Sequence, residues 1–567
     1  MYDVVVLGGG PAGATCAALL RTYSPHLSVF VAERDVFPRD HVGESQLPGC
    51  AQICAEMGCW DKVEAAGFPV KLGASYTWGR DREQWDFDFV FPAHYTDDLQ
   101  RPASFEGVRR QTAFHVDRAV YDKVLLDHAQ ELGATVVQGC GTKQVHRAGD
   151  RVTGVTLADG RRVGARYYVD ATGSAGAVRR AMGIATQAPE ALRNIAIWGY
   201  WSNAKWAYAQ GVDGTRIHIH SLPYGWIWYI PLGPDRTSVG LVMHADYYKN
   251  TGKTKEELYR AALSEHELVS SLLMDASLEK DAVNATSDWS YTADRLVGEN
   301  WFLIGEAAGF ADPILSAGML NAHRSGQDCA ATIGEIERAE LDPLWLRARF
   351  DKKHRENIQQ YIRFAQFWYA ANGCFTDLKK ECAAIAREGG VTLSPEHAWG
   401  WLSFGGFALD DPLQPSVGAF DVQSARDITY AFLGDTPMES FERYNTFTLN
   451  TDGAERDTLG KVSRGRIKPV PCLRRGKATL PLDGYFGTMH QLLSQTDDVM
   501  VIIASLLRQF RDLTREESDR TFQQYVATLE AMIQDGWVIP AADPGRQFVK
   551  RPRVENDSGR FIVSNPG

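Results

Sequence analysis

A glycine-rich turn near the start of the chain has the residue types and spacing needed to hold a phosphate-containing cofactor. Residues 8–13 read Gly-Gly-Gly-Pro-Ala-Gly and fit the pattern G-x-G-x-x-G. In this pattern Gly8 permits a tight bend, Gly10 lets a pyrophosphate approach the backbone, and Gly13 lets the helix pack on the strand. Glu33 ends the next apolar run about twenty residues later, where a carboxylate can accept a ribose hydroxyl. The spacing therefore predicts a dinucleotide site.

Further motifs indicate which dinucleotide is bound. Residues 301–310 read as a strand that enters a helix through Gly-Glu-Ala-Ala-Gly, and residues 170–173 read Asp-Ala-Thr-Gly. Together with Arg118 these segments resemble the later fingerprints of the flavin monooxygenase-like superfamily, where the cofactor is FAD. The resemblance implies that Glu306, in place of the usual Asp, contacts the ribityl chain. It also implies that Arg118 lies near the flavin phosphates.

Four segments resemble the flavin-dependent halogenases more specifically. They are Val-Gly-Glu-Ser-Gln-Leu-Pro at 42–48, Phe-Pro-Val-Lys-Leu-Gly-Ala at 68–74, Gly-Trp-Ile-Trp-Tyr-Ile-Pro at 225–231 and Asp-Pro-Ile-Leu-Ser-Ala-Gly at 312–318. The resemblance covers residues 1 to about 370. It favours the branch that acts on phenols, pyrroles and carrier-bound acyl groups, because the substrate-site insertions and second-site glutamate of the tryptophan halogenases have no clear counterpart.

The resemblance implies a reaction and a catalytic residue. A separate flavin reductase supplies FADH2, oxygen and chloride or bromide then give hypohalous acid, and a lysine delivers the halogen to an electron-rich carbon. Lys71 is the matching residue, and a lysine suits the task because burial lowers its pKa. Trp226 and Trp228 alternate with a strand period of two and so share one face. The structural alternative for this pair is an aromatic core.

The resemblance also assigns the remaining residues of the site. Trp226, Trp228 and Pro231 are expected to wall the passage between flavin and lysine. The backbone around Ser316, Ala317 and Gly318, at a helix start, is expected to bind the halide. Asp288 is a candidate for contact with the flavin methyl edge, or for a covalent bond to it. The full set expected to bind FAD is Gly8, Gly10, Pro11, Ala12, Gly13, Glu33, Arg34, Gly43, Glu44, Ser45, Arg118, Asp288, Glu306, Pro313 and Gly318.

Two other classes of function stay open. One is another flavoenzyme on this scaffold, a monooxygenase or a prenyl-chain reductase, which would need neither Lys71 nor the tryptophan pair. The other is a non-catalytic flavin-binding scaffold. Glu306 and the pair Met319-Leu320 depart from the family's pattern, which counts in favour of this alternative. The leading substrate class, ahead of a free phenol, is an acyl group on a carrier protein.

The whole chain predicts an α/β fold with a Rossmann-like FAD-binding domain. We expect this core over 1–372, with antiparallel sheet inserted at about 75–115 and 185–290. A helical or irregular extension at 373–487 is expected to cover the substrate pocket. A small winged-helix-like module at 488–545 and a polar tail at 546–567 are expected to follow.

Composition narrows the class of protein. The 567 residues are 44% hydrophobic and carry a net charge of −11, which fits a globular protein and argues against a nucleic-acid partner. The nine cysteines are thinly spread, and their spacing fits neither a disulfide framework nor a zinc site. We therefore expect a cytoplasmic protein without a metal or a membrane span.

Overall fold

The N-terminal residues form a parallel sheet beside a long buried helix. The computed structural model describes residues 1–77, 84–89, 113–206, 214–287, 289–370, 443–476, 478–511 and 514–549. The predicted strand, helix and strand are present at Tyr2–Leu7, Pro11–Tyr23 and Val29–Ala32. The strands are almost wholly apolar because a parallel sheet is covered on both faces. The sheet order is 301–303, 165–170, 2–7, 29–32 and 135–137, all parallel. The α/β fold class is confirmed.

A second, larger sheet is mostly antiparallel and holds the predicted tryptophan strand. Its main path runs Ser277–Leu278, Asn194–Ser202, Arg236–His244, Gly225–Gly233, Gly214–Leu222, Val70–Thr77 and Gln84–Asp88. Asn284–Ser287 pairs with Asn194–Ser202, and Ala113–Phe114 pairs with Val70–Thr77. We call Val70–Thr77 the lysine strand and Gly225–Gly233 the tryptophan strand.

The two faces of this large sheet have different surroundings. Ile227 and Tyr229 lie on one face, in a hydrophobic core with Leu258, Tyr259 and Val269 from two covering helices. We call this the helix face. Trp226 and Trp228 alternate with those residues and therefore lie on the opposite face. We call that the tryptophan face.

Two small sheets and several helices make up the remaining described elements before residue 371. Two small three-stranded sheets comprise Thr142–Ala148, Arg151–Leu157 and Arg162–Val163, and Thr186–Gln187, Tyr291–Ala293 and Gly309–Phe310. Besides Pro11–Tyr23, the α-helices are Gly49–Met57, Trp60–Ala65, Arg118–Glu131, Ala177–Ala181, Ala245–Thr251, Lys255–Glu265, Glu267–Leu272, Gly318–Arg338 and Pro343–Ala370.

Of the described residues, 443–461 and those from 468 onward belong to a second unit. We expected 373–487 to be helical or irregular, and this is wrong for the part of it that the structure describes. Strands occur at Thr446–Leu449, Glu455–Ser463, Arg466–Arg475 and Ala478–Pro481. The physical reason is alternation, because Val470 and Cys472 are buried while their neighbours in the strand, Pro469 and Pro471, are exposed.

The C-terminal helices share a core with those strands. The helices are Gly484–Leu493, Val499–Gln509 and Arg515–Gln534, and the strand Val538–Ala541 follows. That strand pairs with Thr446–Leu449, which precedes the boundary predicted at 488. Phe447 and Leu480 also lie in the same core as Leu529 and Trp537.

None of the helices that the structure describes is both long enough and apolar enough to cross a lipid bilayer.

Candidate functional site

The glycine turn has the backbone geometry that a dinucleotide requires. Gly8 has φ +105°, and a Cβ there would lie 2.2 Å from the carbonyl oxygen of Ala171. A Cβ on Gly13 would lie 2.0 Å from the carbonyl oxygen of Gly8. The helix starts at Pro11 without a side-chain cap, and Ala12 and Gly13 are buried in its first turn. Side chains at Gly8 and Gly13 would collide with these carbonyl groups. Glycine therefore allows the tight turn that leaves the helix N-terminus open to a phosphate.

The acid that follows the second strand is held against the turn. Glu33 accepts the backbone N–H of Gly9 at 2.6 Å and that of Asp35 at 2.9 Å. Arg34, also expected to bind the cofactor, has a side chain that is 71% exposed and pairs with Asp35. The arginine that approaches the turn is Arg39, with a guanidinium nitrogen 3.7 Å from a Cβ placed on Gly10.

Arg118 holds the loop that carries Gly43, Glu44 and Ser45. It donates to the carbonyls of Val42 at 3.0 Å and Gly43 at 3.1 Å. Its other nitrogens form a two-pronged ion pair with Asp122 at 2.7 and 2.8 Å. Arg118 is only 7% exposed, so it is not a surface arginine. The charge of Arg118 helps to hold the pKa of Asp122 below its usual value, against the opposing effect of burial.

The polar groups around this loop fit a bound FAD. Ser45 Oγ is buried without a hydrogen-bond partner among the described residues. The hydroxyl of Tyr200 donates to Glu44 at 3.0 Å, and burial raises the pKa of Glu44. Burial also raises the pKa of Glu306, while the charge of Arg118 opposes that shift. These groups supply acceptors and an unused hydroxyl for the cofactor, and the uncapped helix end suits its pyrophosphate.

Lys71 lies on the tryptophan face because of an irregularity in its strand. Thr215 pairs with Lys71, but the pairing then shifts, so that Arg216 pairs with Gly73 and His218 with Ser75. Simple alternation would place Lys71 on the same face as Ser75. The partner of Ser75 is His218, which also pairs with Tyr229 and therefore lies on the helix face. The shift instead pairs Lys71 with Thr215 on the tryptophan face. Irregularities of this kind turn a side chain towards the other side of a sheet.

The ammonium group of Lys71 is enclosed. Its side chain is buried, and Nζ donates to the carbonyl oxygen of Gln46 at 2.9 Å. The ring of Phe89 lies 5.3 Å from Nζ. Burial lowers the pKa of Lys71 to about 7. At neutral pH the group therefore exists both as an ammonium donor and as a free amine.

Gln46 connects the lysine to the expected halide segment. Its backbone oxygen accepts from Lys71, while its side-chain nitrogen lies 3.0 Å from Sδ of Met319. Met319 follows Gly318 in the first turn of a helix. Gln46, the fifth residue of the segment 42–48, therefore has a structural role that could not be predicted from that segment alone.

The tryptophan pair lies side by side. The ring centroids of Trp226 and Trp228 are 6.1 Å apart. Nε1 of Trp226 donates to the hydroxyl of Tyr369 at 2.7 Å, and Nε1 of Trp228 donates to Oγ of Ser238 at 3.1 Å. Neither ring belongs to the hydrophobic core on the helix face. Pro231, farther along the strand, pairs with Thr237.

Gly240 makes room for Trp228, and this gives a first prediction. A Cβ at Gly240 would lie 2.1 Å from the Trp228 ring. We expect Gly240→Ala to displace that ring and destabilise the protein by about 1–3 kcal/mol, the usual range for overpacking. Urea unfolding followed by tryptophan fluorescence measures the loss. Gly233→Ala is the control, because a Cβ there meets open space. Equal stability of the two variants would contradict the prediction.

The expected halide segment begins at a buried acid. Asp312 accepts the N–H of Ile314 at 3.0 Å and the hydroxyl of Tyr369 at 3.1 Å. Tyr369 thereby links Asp312 to Trp226. Ser316 adopts φ +58°, a left-handed conformation that strains a residue other than glycine. The helix after it starts at Gly318, where a Cβ would lie 2.5 Å from the ring of Phe310.

Asp312 gives a second prediction, on pH dependence. Burial raises the pKa of Asp312 from 3.8 to about 7. Between those values the folded state binds more protons than the unfolded state, so this residue lowers stability as pH rises towards 7. We expect the free energy of unfolding of wild type, relative to Asp312→Asn, to fall by on the order of 2 kcal/mol from pH 5 to pH 8. Urea titrations of both proteins at each pH measure it. A constant difference would show that Asp312 has an ordinary pKa.

The structure brings together most of the residues that the sequence predicts. Pro313 lies in the halide segment, in a short 3-10 turn. Pro231 lies by alternation on the helix face, opposite Trp226 and Trp228. Arg34 stands apart from the group, and Asp288 lies outside the described residues. Sequence reasoning missed Gln46, Tyr369 and Gly240. Gln46 and Gly240 lie in or beside recognised segments, but the function of each depends on a neighbour distant in the sequence.

Comparisons with known proteins identify the family. A family model described as tryptophan halogenase matches residues 3–106 and 98–376. A tryptophan 2-halogenase from Chondromyces crocatus is 32% identical over 481 residues, which are 84% of this chain and 85% of that protein. A 1H-pyrrole-2-carbonyl peptidyl-carrier-protein chlorinase from Pseudomonas fluorescens is 32% identical over 385 residues, 66% of this chain and 85% of that protein.

Solved structures agree with this result. The myxobacterial chondrochloren halogenase CndH, described as FAD-dependent, has a TM-score of 0.59 at 26% identity over 77% of this chain and 98% of its own. The flavin-dependent halogenase CmlS has a TM-score of 0.70 at 24% identity over 99% of this chain and 98% of its own, and it supports the fold. With the family model matching well over half of its length, the chain belongs to the FAD-dependent halogenases of the tryptophan halogenase family.

Proposed function

We propose that this halogenase makes hypohalous acid from chloride or bromide and delivers it through Lys71 to an electron-rich carbon. The observation that carries the proposal is the position of Lys71. It is buried on the tryptophan face, and no carboxylate of the described residues forms an ion pair with it. A buried lysine without such a partner is costly to the fold, which favours a functional reason for its presence.

The residues around Lys71 have separate tasks in this proposal. When bound and reduced by a separate flavin reductase, FAD would supply two electrons that bring oxygen to the peroxide level. Oxygen at that level can oxidise the halide. The backbone at the helix start, through the N–H groups of Ala317 and Gly318, holds the halide. The N–H of Ser316 itself donates to the carbonyl oxygen of Pro313 at 2.9 Å. Trp226 and Trp228 wall the passage and keep the organic substrate away from the cofactor. Lys71 then holds the hypohalous acid by a hydrogen bond or forms a haloamine, and a pKa of about 7 makes both forms available.

An experiment without the natural substrate tests the first half of this reaction. The purified protein is mixed with FAD, NADH, a flavin reductase, oxygen and either halide, and hypohalous acid is trapped with monochlorodimedone. Halide-dependent loss of the trap supports the proposal. Oxygen consumption that ignores halide would favour a monooxygenase instead. No reaction of the bound flavin with oxygen would favour a reductase or a non-catalytic scaffold.

We further propose a carrier-protein-bound acyl group as the substrate. The pyrrole-carbonyl carrier-protein chlorinase and the tryptophan 2-halogenase are both 32% identical to this chain, over 385 and 481 residues, so the percentage identity does not decide between their substrates. Competition does. Pyrrole-2-carboxylate on a peptidyl carrier protein, free pyrrole-2-carboxylate and free tryptophan are offered together, and mass spectrometry counts the halogenated products. Halogenation of a free compound ahead of the carrier-bound one would contradict this proposal.

A further inference from the structure

A buried histidine beside Lys71 has no hydrogen-bond partner among the described residues. His115 is 0% exposed, and neither Nδ1 nor Nε2 has a partner. A buried polar group without a partner destabilises the fold. Native proteins keep such groups for a reason, which is often a ligand or a catalytic task. The function of Lys71 proposed above does not use this ring.

Strand pairing places His115 on the same face as Lys71. The short strand Ala113–Phe114 is antiparallel to the lysine strand, with Ala113 opposite Lys71 and Phe114 opposite Val70. The N–H of His115 continues the ladder by donating to the carbonyl of Pro69 at 2.9 Å. His115 is therefore the diagonal neighbour of Lys71, at a spacing of roughly 7–8 Å that long side chains bridge.

The loop that carries Ser45 closes the other side of this group. Ser45 and His115 form an isolated antiparallel bridge, and the N–H of Gln46 donates to the carbonyl of Phe114 at 3.0 Å. Because bridge partners share a face, Ser45 Oγ lies on the same side as the ring, and it too is buried without a partner. His115, Ser45 and Lys71 therefore form one group, because Nζ of Lys71 also donates to this loop at the carbonyl of Gln46.

The electrostatic setting keeps this histidine neutral. Burial lowers the pKa of His115 well below 6.5, and the charges of Lys71 and His218 lower it further. The titratable groups that act on it are Lys71 on the lysine strand and His218 on the adjacent strand. At neutral pH the ring therefore has a free nitrogen that can accept a proton.

We propose that His115 is the general base that removes the proton from the substrate carbon during halogenation. This inference rests on the proposed delivery of halogen through Lys71. The bond from halogen to substrate carbon forms while the oxygen–halogen bond of hypohalous acid breaks. The departing hydroxide takes a proton from the Lys71 ammonium and becomes water. The carbon that received the halogen loses its hydrogen as a proton to the ring of His115, and the aromatic electrons are restored.

Proton return completes the cycle without another reagent. His115 passes its proton back to the Lys71 amine, so the net change is replacement of hydrogen by halogen with release of one water. A weak base is sufficient, because an aromatic ring that has gained an electrophile is a strong acid. The other groups near Lys71 suit the task less well. Burial raises the pKa of the Cys50 thiol to about 12, so it stays protonated, and His218 lies on the helix face.

Two variants of His115 test the proposal against a matched control. His115→Gln keeps a hydrogen-bond acceptor but cannot hold a proton, and His115→Phe keeps the ring volume alone. His220→Gln is the control, because His220 is a buried histidine of the same sheet on the helix face, with Nδ1 2.9 Å from Thr77 Oγ1. Flavin absorbance, trapped hypohalous acid and halogenated product are measured for each. The substrate is pyrrole-2-carboxylate on a peptidyl carrier protein, or tryptophan if that is the compound wild type halogenates.

General base catalysis accelerates a reaction about 10²–10⁴-fold. We therefore expect the rate of product formation to fall at least about 100-fold in both variants. FAD binding and hypohalous acid formation stay at the wild-type level. Single-turnover halogenation of ring-deuterated substrate is expected to show no isotope effect in wild type and a primary one in His115→Gln, because proton loss becomes rate-limiting. The control behaves as wild type.

The possible failures are distinguishable. Near-wild-type product from His115→Gln with no isotope effect would overturn the assignment of His115 as the base. Loss of FAD binding in both variants would assign the ring to the cofactor site instead and would also overturn it. Absence of halide-dependent trapping in wild type itself would be a failure of the proposed function.

Discussion

Replacing Lys71 with Met is expected to abolish halogenation and at the same time to stabilise the protein. Methionine keeps the length of the side chain but provides neither a hydrogen-bond donor nor an amine, so halogen transfer has no carrier. FAD binding and hypohalous acid formation do not involve this group and are expected to stay near the wild-type level. Product formation by mass spectrometry, flavin absorbance and trapped hypohalous acid separate these outcomes.

The gain in stability follows from the pKa of Lys71. The folded value of about 7 lies below the ordinary value of 10.5, so the folded state binds fewer protons than the unfolded state between those two pH values. Stability therefore rises with pH through this window, and the cost of burying the lysine is greatest below pH 7. We expect Lys71→Met to raise the free energy of unfolding by roughly 3 to 5 kcal/mol at pH 6, and by little at pH 10.

A matched lysine gives the control for this pair of effects. Lys62 lies in the helix Trp60–Ala65 with a side chain that is 40% exposed. Lys62→Met removes an exposed ion pair with Glu131 and is expected to change neither activity nor the pH dependence of stability between pH 6 and pH 10. Product from Lys71→Met at the wild-type rate would end the assignment of Lys71. A variant less stable than wild type at pH 6 would mean that the lysine is held by favourable contacts rather than at a cost.

Replacing Arg118 with Met is expected to weaken FAD binding strongly and to destabilise the fold. The change leaves the buried Asp122 with one remaining cation, Arg39, whose Nη1 lies 3.1 Å away. Breaking a buried ion pair costs about 3–5 kcal/mol, and the second cation places the expected loss near 3 kcal/mol. The loop at Val42 and Gly43 also loses both of its hydrogen bonds to Arg118. We therefore expect FAD affinity to fall at least tenfold.

Two comparisons make the Arg118 result specific. Arg118→Lys keeps the charge but cannot donate to Asp122 and both carbonyls together, so its FAD affinity is expected to lie between wild type and Arg118→Met. Lys123→Met on the same helix removes an exposed ion pair with Asp127 and is expected to have no effect on either quantity. FAD titration followed by flavin fluorescence and urea unfolding measure both. Wild-type affinity in Arg118→Met would show that this arginine serves the fold alone.

The sequence alone was sufficient for features set by local backbone geometry. The glycine turn at 8–13 could be predicted because a side chain at Gly13 would collide with the carbonyl of Gly8, which the turn itself brings close. The alternation of the tryptophan strand correctly predicted that Trp226 and Trp228 share a face, since the side-chain period of a strand is two. The motifs around these residues were sufficient to recognise the family.

Only the tertiary structure decided how those features meet. Alternation along the lysine strand would place Lys71 with Ser75, and the shift in pairing with the strand Gly214–Leu222 places it on the tryptophan face instead. The contact of Trp226 with Tyr369, and the approach of Arg39 rather than Arg34 to the glycine turn, join residues far apart in the chain. The strands at 446–481 were missed for a different reason, since the alternation at Val470 and Cys472 is a local strand signal that the prediction overlooked. The placement of Lys71 and the contacts made by Trp226 and Arg39 depend on long-range register and burial, which no local pattern of residues encodes.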